Sequence, residues 1–147
     1  MKRILIIIVG CIAISACSKK TTIQIVNDRE DTKSTNQLSE NIEMVYNSYG
    51  KIEWFSVFSD DMKISIMINN VIDKGGKSEI IDIEDNYDRL NIRYGHKLDR
   101  VDYDCGNIVY KDTFDWGGDK SINIEKGKHN VIRITNENDV IQLNKPL

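Results

Sequence analysis

From Ile52 onward, apolar residues recur at every second position. Ile64, Ile66 and Ile68 alternate with Ser65, Met67 and Asn69, and Leu90, Ile92 and Tyr94 alternate with Asn91 and Arg93. Ile122 and Ile124 flank Asn123; Ile132 and Ile134 flank Arg133. A period of two sends successive side chains to opposite faces of a strand, with one face buried and one wet, as in antiparallel sheet. The β-branched isoleucines suit that surface. Clusters of turn formers separate the runs: Ser59-Asp60-Asp61, Asp73-Lys74-Gly75-Gly76, Asp85-Asn86-Tyr87-Asp88, Gly117-Gly118-Asp119, Lys126-Gly127-Lys128 and Asn136-Glu137-Asn138-Asp139. About eight strands are predicted, near 52–58, 63–71, 79–84, 89–95, 107–114, 121–125, 130–135 and 139–143. The fold class is therefore mainly β, an antiparallel sandwich or small barrel. The single proline, Pro146, interrupts none of these runs.

Upstream of Ile52 the period changes. Ile42, Val45, Tyr46 and Tyr49 fall at i, i+3, i+4 and i+7, Ser39 suits an N-cap, and Gly50 suits a C-terminal stop. This pattern predicts one short helix, about Ser39 to Tyr49. Residues 18–38 are dominated by Thr, Asn, Asp, Glu and Lys and read as a polar tether. Within them, Thr21-Thr22-Ile23-Gln24-Ile25-Val26 reads equally as part of the tether or as a strand docked on the domain.

The first residues have a different character. Met1-Lys2-Arg3 is cationic, Ile4 to Ala13 is almost unbroken apolar sequence, and the chain turns polar at Ser18-Lys19-Lys20. An apolar stretch of about ten to thirteen residues is shorter than the ~20 that span a bilayer, and fits the core of a cleaved signal peptide. The ending Ile14-Ser15-Ala16-Cys17 resembles the lipobox of bacterial lipoproteins. The resemblance implies cleavage before Cys17 and attachment of two or three acyl chains there, enough for a stable anchor. In a Gram-negative cell it further implies the outer membrane, facing the periplasm, because Ser18 rather than Asp follows the cysteine. The expected organisation is a signal peptide over 1–16, a lipidated Cys17 and tether over 17–38, and one β-rich domain over 39–147.

Charge narrows the partners. Removing Lys2 and Arg3 from the 20 basic residues leaves 18 against 23 acidic, a mature net charge of about −5. A mixed, mildly acidic surface does not suit nucleic acid, which needs a concentrated basic face. It would pair with a basic protein through electrostatic steering. Once Cys11 leaves with the signal and Cys17 is acylated, Cys105 has no intrachain partner. It reads as a buried small hydrophobe, since the neighbouring Asp102 and Asp104 would not favour a thiolate.

No chemistry-bearing motif stands out. Asp99, Asp102, Asp104 and Asn107 surround Gly106, but without the spacing of a calcium loop they read as a solvated turn or bulge. His96 and His129 lack the companions of a zinc site and read as surface residues. No nucleophile elbow, P-loop or dinucleotide fingerprint is present. The expectation is a non-enzymatic binding module without cofactor or metal. It could neutralise a toxin or a cell-wall hydrolase; the alternative is a structural or assembly lipoprotein of an envelope or secretion machine. The candidate contact residues are the acidic stripe Asp82, Glu84 and Asp88. Trp116 joins them as the tryptophan better suited to exposure, since Asp115 and Gly117-Gly118 flank it.

Overall fold

The computed structural model of the protein describes residues 20–84, 87–136 and 140–143. The segment that resembles a lipobox, with Cys17, lies outside them. The described residues form ten strands and no helix: β1 (Thr21–Asn27), β2 (Thr32–Gln37), β3 (Ile42–Ser48), β4 (Trp54–Phe58), β5 (Ser65–Ile68), β6 (Ile81–Ile83), β7 (Arg89–Asp104), β8 (Asn107–Asn123), β9 (His129–Ile134) and β10 (Val140–Leu143). A smaller sheet has the order β10-β9-β1-β6; a larger one has the order β2-β3-β7-β4-β5, with β8 on the other side of β7. Neither closes into a barrel, and the architecture is a sandwich.

The predicted alternation carries the core. Ile23, Ile25, Ile132 and Ile134 from the smaller sheet meet Phe55, Val57, Leu90, Ile92 and Tyr94 from the larger one, all fully buried. Each such side chain contributes about 1.5–3 kcal/mol by leaving water. Ile64, Ile66 and Ile68 pack on this cluster but stay partly exposed, because β5 is an edge strand.

The predicted helix at Ser39–Tyr49 is instead strand β3. Val45, Tyr46 and their neighbours pair on one side with β2 and on the other with β7, Ile42 opposite Asp104 through Ser48 opposite Leu98. A helix of about ten residues is marginal without a surface to pack on, whereas two ladders satisfy the backbone fully. Neither cap serves a helix, though Ser39 makes the hydrogen bond of one. Ser39 Oγ accepts the Ile42 N–H at 3.2 Å, three residues on as in an N-cap, and thereby closes the β2–β3 hairpin turn. Gly50 is a close-approach glycine, not a helix stop: a Cβ there would lie 2.7 Å from the Glu30 backbone.

The tether boundary also moves. Residues 21–27 are β1, a central strand running parallel to β9 and antiparallel to β6. The domain thus begins at Thr21 rather than Ser39, and the sheet containing β1 is mixed.

Gly117-Gly118 makes no turn. β7 and β8 run as one hairpin from Arg89 opposite Asn123 to Asp104 opposite Asn107, with one register shift near Tyr103. Glycine inside a strand often marks a close approach. Here the Trp54 indole lies across Gly95 and within 3.9 Å of a Cβ placed on Gly117, so it covers both. The turn comes at Cys105-Gly106, with φ of 48° and 81°. Two consecutive left-handed residues define the tight hairpin turn that continues the sheet's twist. Cys105 is consequently exposed at the hairpin tip, not buried.

Candidate functional site

β7 is long enough to belong to two structures. Its first half, Asn91–Gly95, pairs with β4 over the core; its second half, Leu98–Asp104, pairs with β3. With β2 and the matching part of β8, this second half makes a four-stranded arm that extends past the smaller sheet. Only Val45 and Val101 among its apolar residues are buried.

A polar plug closes the sandwich where the arm begins. The Asn27 side-chain amide donates to the carbonyls of Gly50 and Ile72, both at 2.9 Å, and its Oδ1 accepts the Arg29 N–H at 3.0 Å. This turns the chain so that Arg29, only 2% exposed, lies under the sheet. Its guanidinium donates to the Tyr49 carbonyl (3.0 Å) and Ser48 Oγ (3.2 Å) and sits 5.8 Å from the Tyr94 ring centre. Burial holds the Arg29 pKa below its ordinary value. His96, 3% exposed, is next to this charge, which corrects its reading as a surface residue. Burial first, and then the Arg29 charge, lower its pKa and favour the neutral ring. His129 is exposed, with its ring 2.8 Å from Thr22 Oγ1.

Beyond the plug, the row of side chains that builds the core continues without a covering sheet. Leu90, Ile92, Tyr94 and His96 are buried; Leu98 follows in the same alternation and is only half-buried. Leu98, Tyr46, Phe114, Trp116 and Ser34 line an open cleft of about 300 Å³. Trp116 is 50% exposed and stands across the strand pair from His96. Further out, Arg100 donates to Asp102 (2.8 Å) and lies 5.1 Å from the Tyr110 ring centre. The opposite face of the arm holds its two buried apolar residues, Val45 and Val101, among polar ones. Asp99 accepts hydrogen bonds from the Tyr49 and Thr113 hydroxyls, which keep its carboxyl below the usual range. Near the arm's base on that face, Asp31, Tyr49, Lys51, Glu53, Lys74 and Lys97 line a polar hollow of about 410 Å³.

The acidic candidates lie at the other end. Asp82 is exposed on β6 opposite Thr22 and pairs with Lys20 at 3.6 Å. Glu84 is exposed just beyond the strand, and Asp88 pairs with Lys126 at 3.2 Å. All three surround the start of β1. Trp116 is level with His96, eight residues along β7 from Asp88, or about 26 Å at ~3.3 Å per residue. The structure therefore does not bring Trp116 and the acidic stripe together. It joins Trp116 instead to Tyr46, Leu98 and Phe114, which the sequence reading missed. Their signal was available: Phe114 and Trp116 are two apart, as are Met44 and Tyr46 on β3.

The Asp102–Asp104 string forms hairpin arms, with Asp102 held by Arg100. Among the described residues, no three His, Cys, Asp or Glu side chains are grouped to hold a metal ion. Comparison with protein-family models, curated proteins and solved structures finds no match to this chain.

Proposed function

We propose that this is a lipid-anchored protein of the bacterial envelope that acts by binding another protein, with the arm as its contact surface. The observation that carries the reading is the uncovered continuation of the core face, ending in the cleft of Tyr46, Leu98, Phe114 and Trp116. Aromatic side chains in a partly desolvated recess are typical anchors for a protein partner.

The anchor gives this surface its direction. Thr21 begins β1 four residues after Cys17, a span of at most about 14 Å. A lipid on Cys17 therefore holds the start of β1 close to the bilayer, not at the end of a long tether. Asp82, Glu84 and Asp88 share that end and face the membrane side. The arm projects the opposite way, into the periplasm if the anchor is in the outer membrane. The partner surface accordingly moves from the acidic stripe to the arm. A toxin, or a cell-wall hydrolase delivered by a rival, is the expected class of partner, with the protein as its inhibitor. Among the described residues no strand pairs with β8 on the side away from β7, which favours the second reading, an assembly lipoprotein that accepts an extended segment by strand addition.

The test uses the full chain in its native membrane. A photo-crosslinking amino acid at Phe114 should capture another protein, and the same probe at Asp82 should not. Leu98→Asp should abolish that capture while the domain stays folded. Capture only at Asp82, or turnover of a cell-wall or lipid substrate by the purified protein, overturns the reading. Mass spectrometry showing no acyl group on Cys17 removes the anchor from it.

A further inference from the structure

The cleft is one end of an apolar stripe that crosses the whole arm, and we infer that this stripe seats a cationic amphipathic helix of another protein. The inference rests on the arm being a protein-binding surface and names the chemistry of what binds.

Strand parity places the stripe. Leu98 continues the core face of β7, so Arg100, Asp102 and Asp104 stand on that face too. Tyr46, Met44 and Ile42 oppose them on β3, while Asp112 and Tyr110 oppose Arg100 and Asp102 on β8. Ser34 and Asn36 extend the rows on β2, and Leu38 follows them, its N–H on the Ile42 carbonyl. The apolar positions form a diagonal across these rows. Leu38 and Ile42 begin it at the tip of the arm, and Met44 and Tyr46 carry it along β3. Leu98 takes it across β7, and Phe114 and Trp116 end it on β8. All are exposed or partly exposed.

Its dimensions suit a helix. From the level of His96 to that of Asp104 is about 26 Å at ~3.3 Å per residue, and three strand spacings of ~4.8 Å add about 14 Å across. The diagonal is therefore about 30 Å long, the length of a helix of about 20 residues. β3 and β7 have a strand on both sides, so this face offers a partner side chains only. A helix satisfies its own backbone and presents one apolar stripe.

Charge sets the sign of that helix. From Trp116 to the tip, the charged residues on this face are Arg100, Asp102, Asp104 and Asp112. Arg100 donates to both carboxylate oxygens of Asp102, at 3.0 and 2.8 Å, and the two charges cancel. Exposed Asp104 and Asp112 remain, both on the same side of the diagonal; Ser34 and Asn36 are on the other. Lysine or arginine along one side of a helix meets the two acids. A second copy of this face, or an anionic bilayer, would be repelled.

The outer half of the stripe is clear of the rest of the chain. Residues 137–139 join Val140 to Asn136, whose side chain accepts the Glu30 N–H at the base of the arm, and they reach about 7 Å from either end. Residues 144–147 leave from Leu143, at the end of β10 farther from the arm. Met44 is level with Asp102, about 13 Å beyond Leu98.

The test presents two synthetic helices of about 20 residues to the full chain in nanodiscs of zwitterionic phosphatidylcholine. One carries leucine on one face and lysine on the other; the second has glutamate in place of lysine. A photo-crosslinking amino acid at Met44 should capture the lysine helix about tenfold better than the glutamate helix. The same probe at Thr35, exposed on the opposite face, should capture neither above background. Asp104→Lys with Asp112→Lys should reverse the preference, a gain that also shows the variant to be folded. In cells, that double variant should cut capture at Phe114 by about tenfold, and the crosslinked segment should be a helix with lysine or arginine along one side. Equal capture of both helices, capture at Thr35 as strong as at Met44, or a preference that charge reversal leaves unchanged overturns the inference. Cellular capture at Phe114 through an acidic or extended segment also overturns it, but there the protein-binding reading survives. No cellular capture at Phe114 removes that reading itself.

Discussion

Replacing Gly95 with alanine should destabilise the fold through one contact. A Cβ at Gly95 would lie 2.2 Å from Trp54 Nε1 and 2.4 Å from Cε2, well inside contact distance, so the indole must move off the sheet. Forcing a methyl group into an occupied space of this kind costs about 1–3 kcal/mol. Working against that, alanine is about 0.5–1 kcal/mol better than glycine inside a strand. In a Trp54→Ala background only the second effect remains. Gly95→Ala should then stabilise, giving a coupling of about 1–3 kcal/mol between the two sites in a double-mutant cycle, since the gain over glycine is common to both backgrounds and cancels. Urea denaturation of the four proteins measures it, with the slope of unfolding free energy against urea unchanged if only stability is affected. Gly117→Ala is a graded control, since its Cβ would meet the Tyr94 carbonyl at 3.0 Å and Trp54 only at 3.9 Å. If Gly95→Ala costs the same with and without Trp54, the indole is not the reason for the glycine and the argument fails.

Other outcomes follow from the core, the plug and the hairpin tip. Ile25→Ala, at a fully buried position, should cost about 2–5 kcal/mol in thermal or chemical unfolding through lost burial and a residual cavity. His96 is held below its ordinary pKa by burial and by Arg29, so the unfolded chain takes up its proton first. Stability should therefore fall as pH drops below about 6.5, and His96→Gln should flatten the curve there. The losses from Asp31, Asp61 and Asp99, whose carboxyls sit below their usual range, should appear separately as pH falls below about 4. Cys105 should react with a maleimide in the native protein at the rate seen in denaturant, because the turn holds it in solvent. A protected thiol would contradict that geometry.

The sandwich was legible because its core residues alternate strictly: Leu90, Ile92 and Tyr94, or Ile132 and Ile134, admit one burial pattern. Residues 42–49 satisfied two periods at once, and the ladder with β7 decided between them. Short-range capping by Ser39 could not, because hairpin turn and helix start use the same hydrogen bond. Gly117-Gly118 misled for a related reason: a turn and a covering indole both ask for glycine, and Trp54 is more than sixty residues away in sequence. The cleft was half legible. Trp116 was singled out from its neighbours, but Tyr46 and Leu98 reach it only through the pairing of β3, β7 and β8. His96 and Cys105 changed places for want of the same register, which buries one beside Arg29 and exposes the other at a tip.

The parallel pairing of β1 with β9 has a consequence for the order of folding. Thr22 waits for His129, 107 residues further on, and Ile23 for Ile81. The β2–β3 and β7–β8 hairpins close over short loops and can form as soon as they are made. The segment synthesised first thus completes its pairing last, after loop closure across most of the chain. Until then β1 can pair only with the segment 77–83 on one side, and its other edge stays open and aggregation-prone along Ile23, Ile25 and Val26. A truncation that removes β9 should leave the hairpins with their local pairing but strand β1 without its parallel partner.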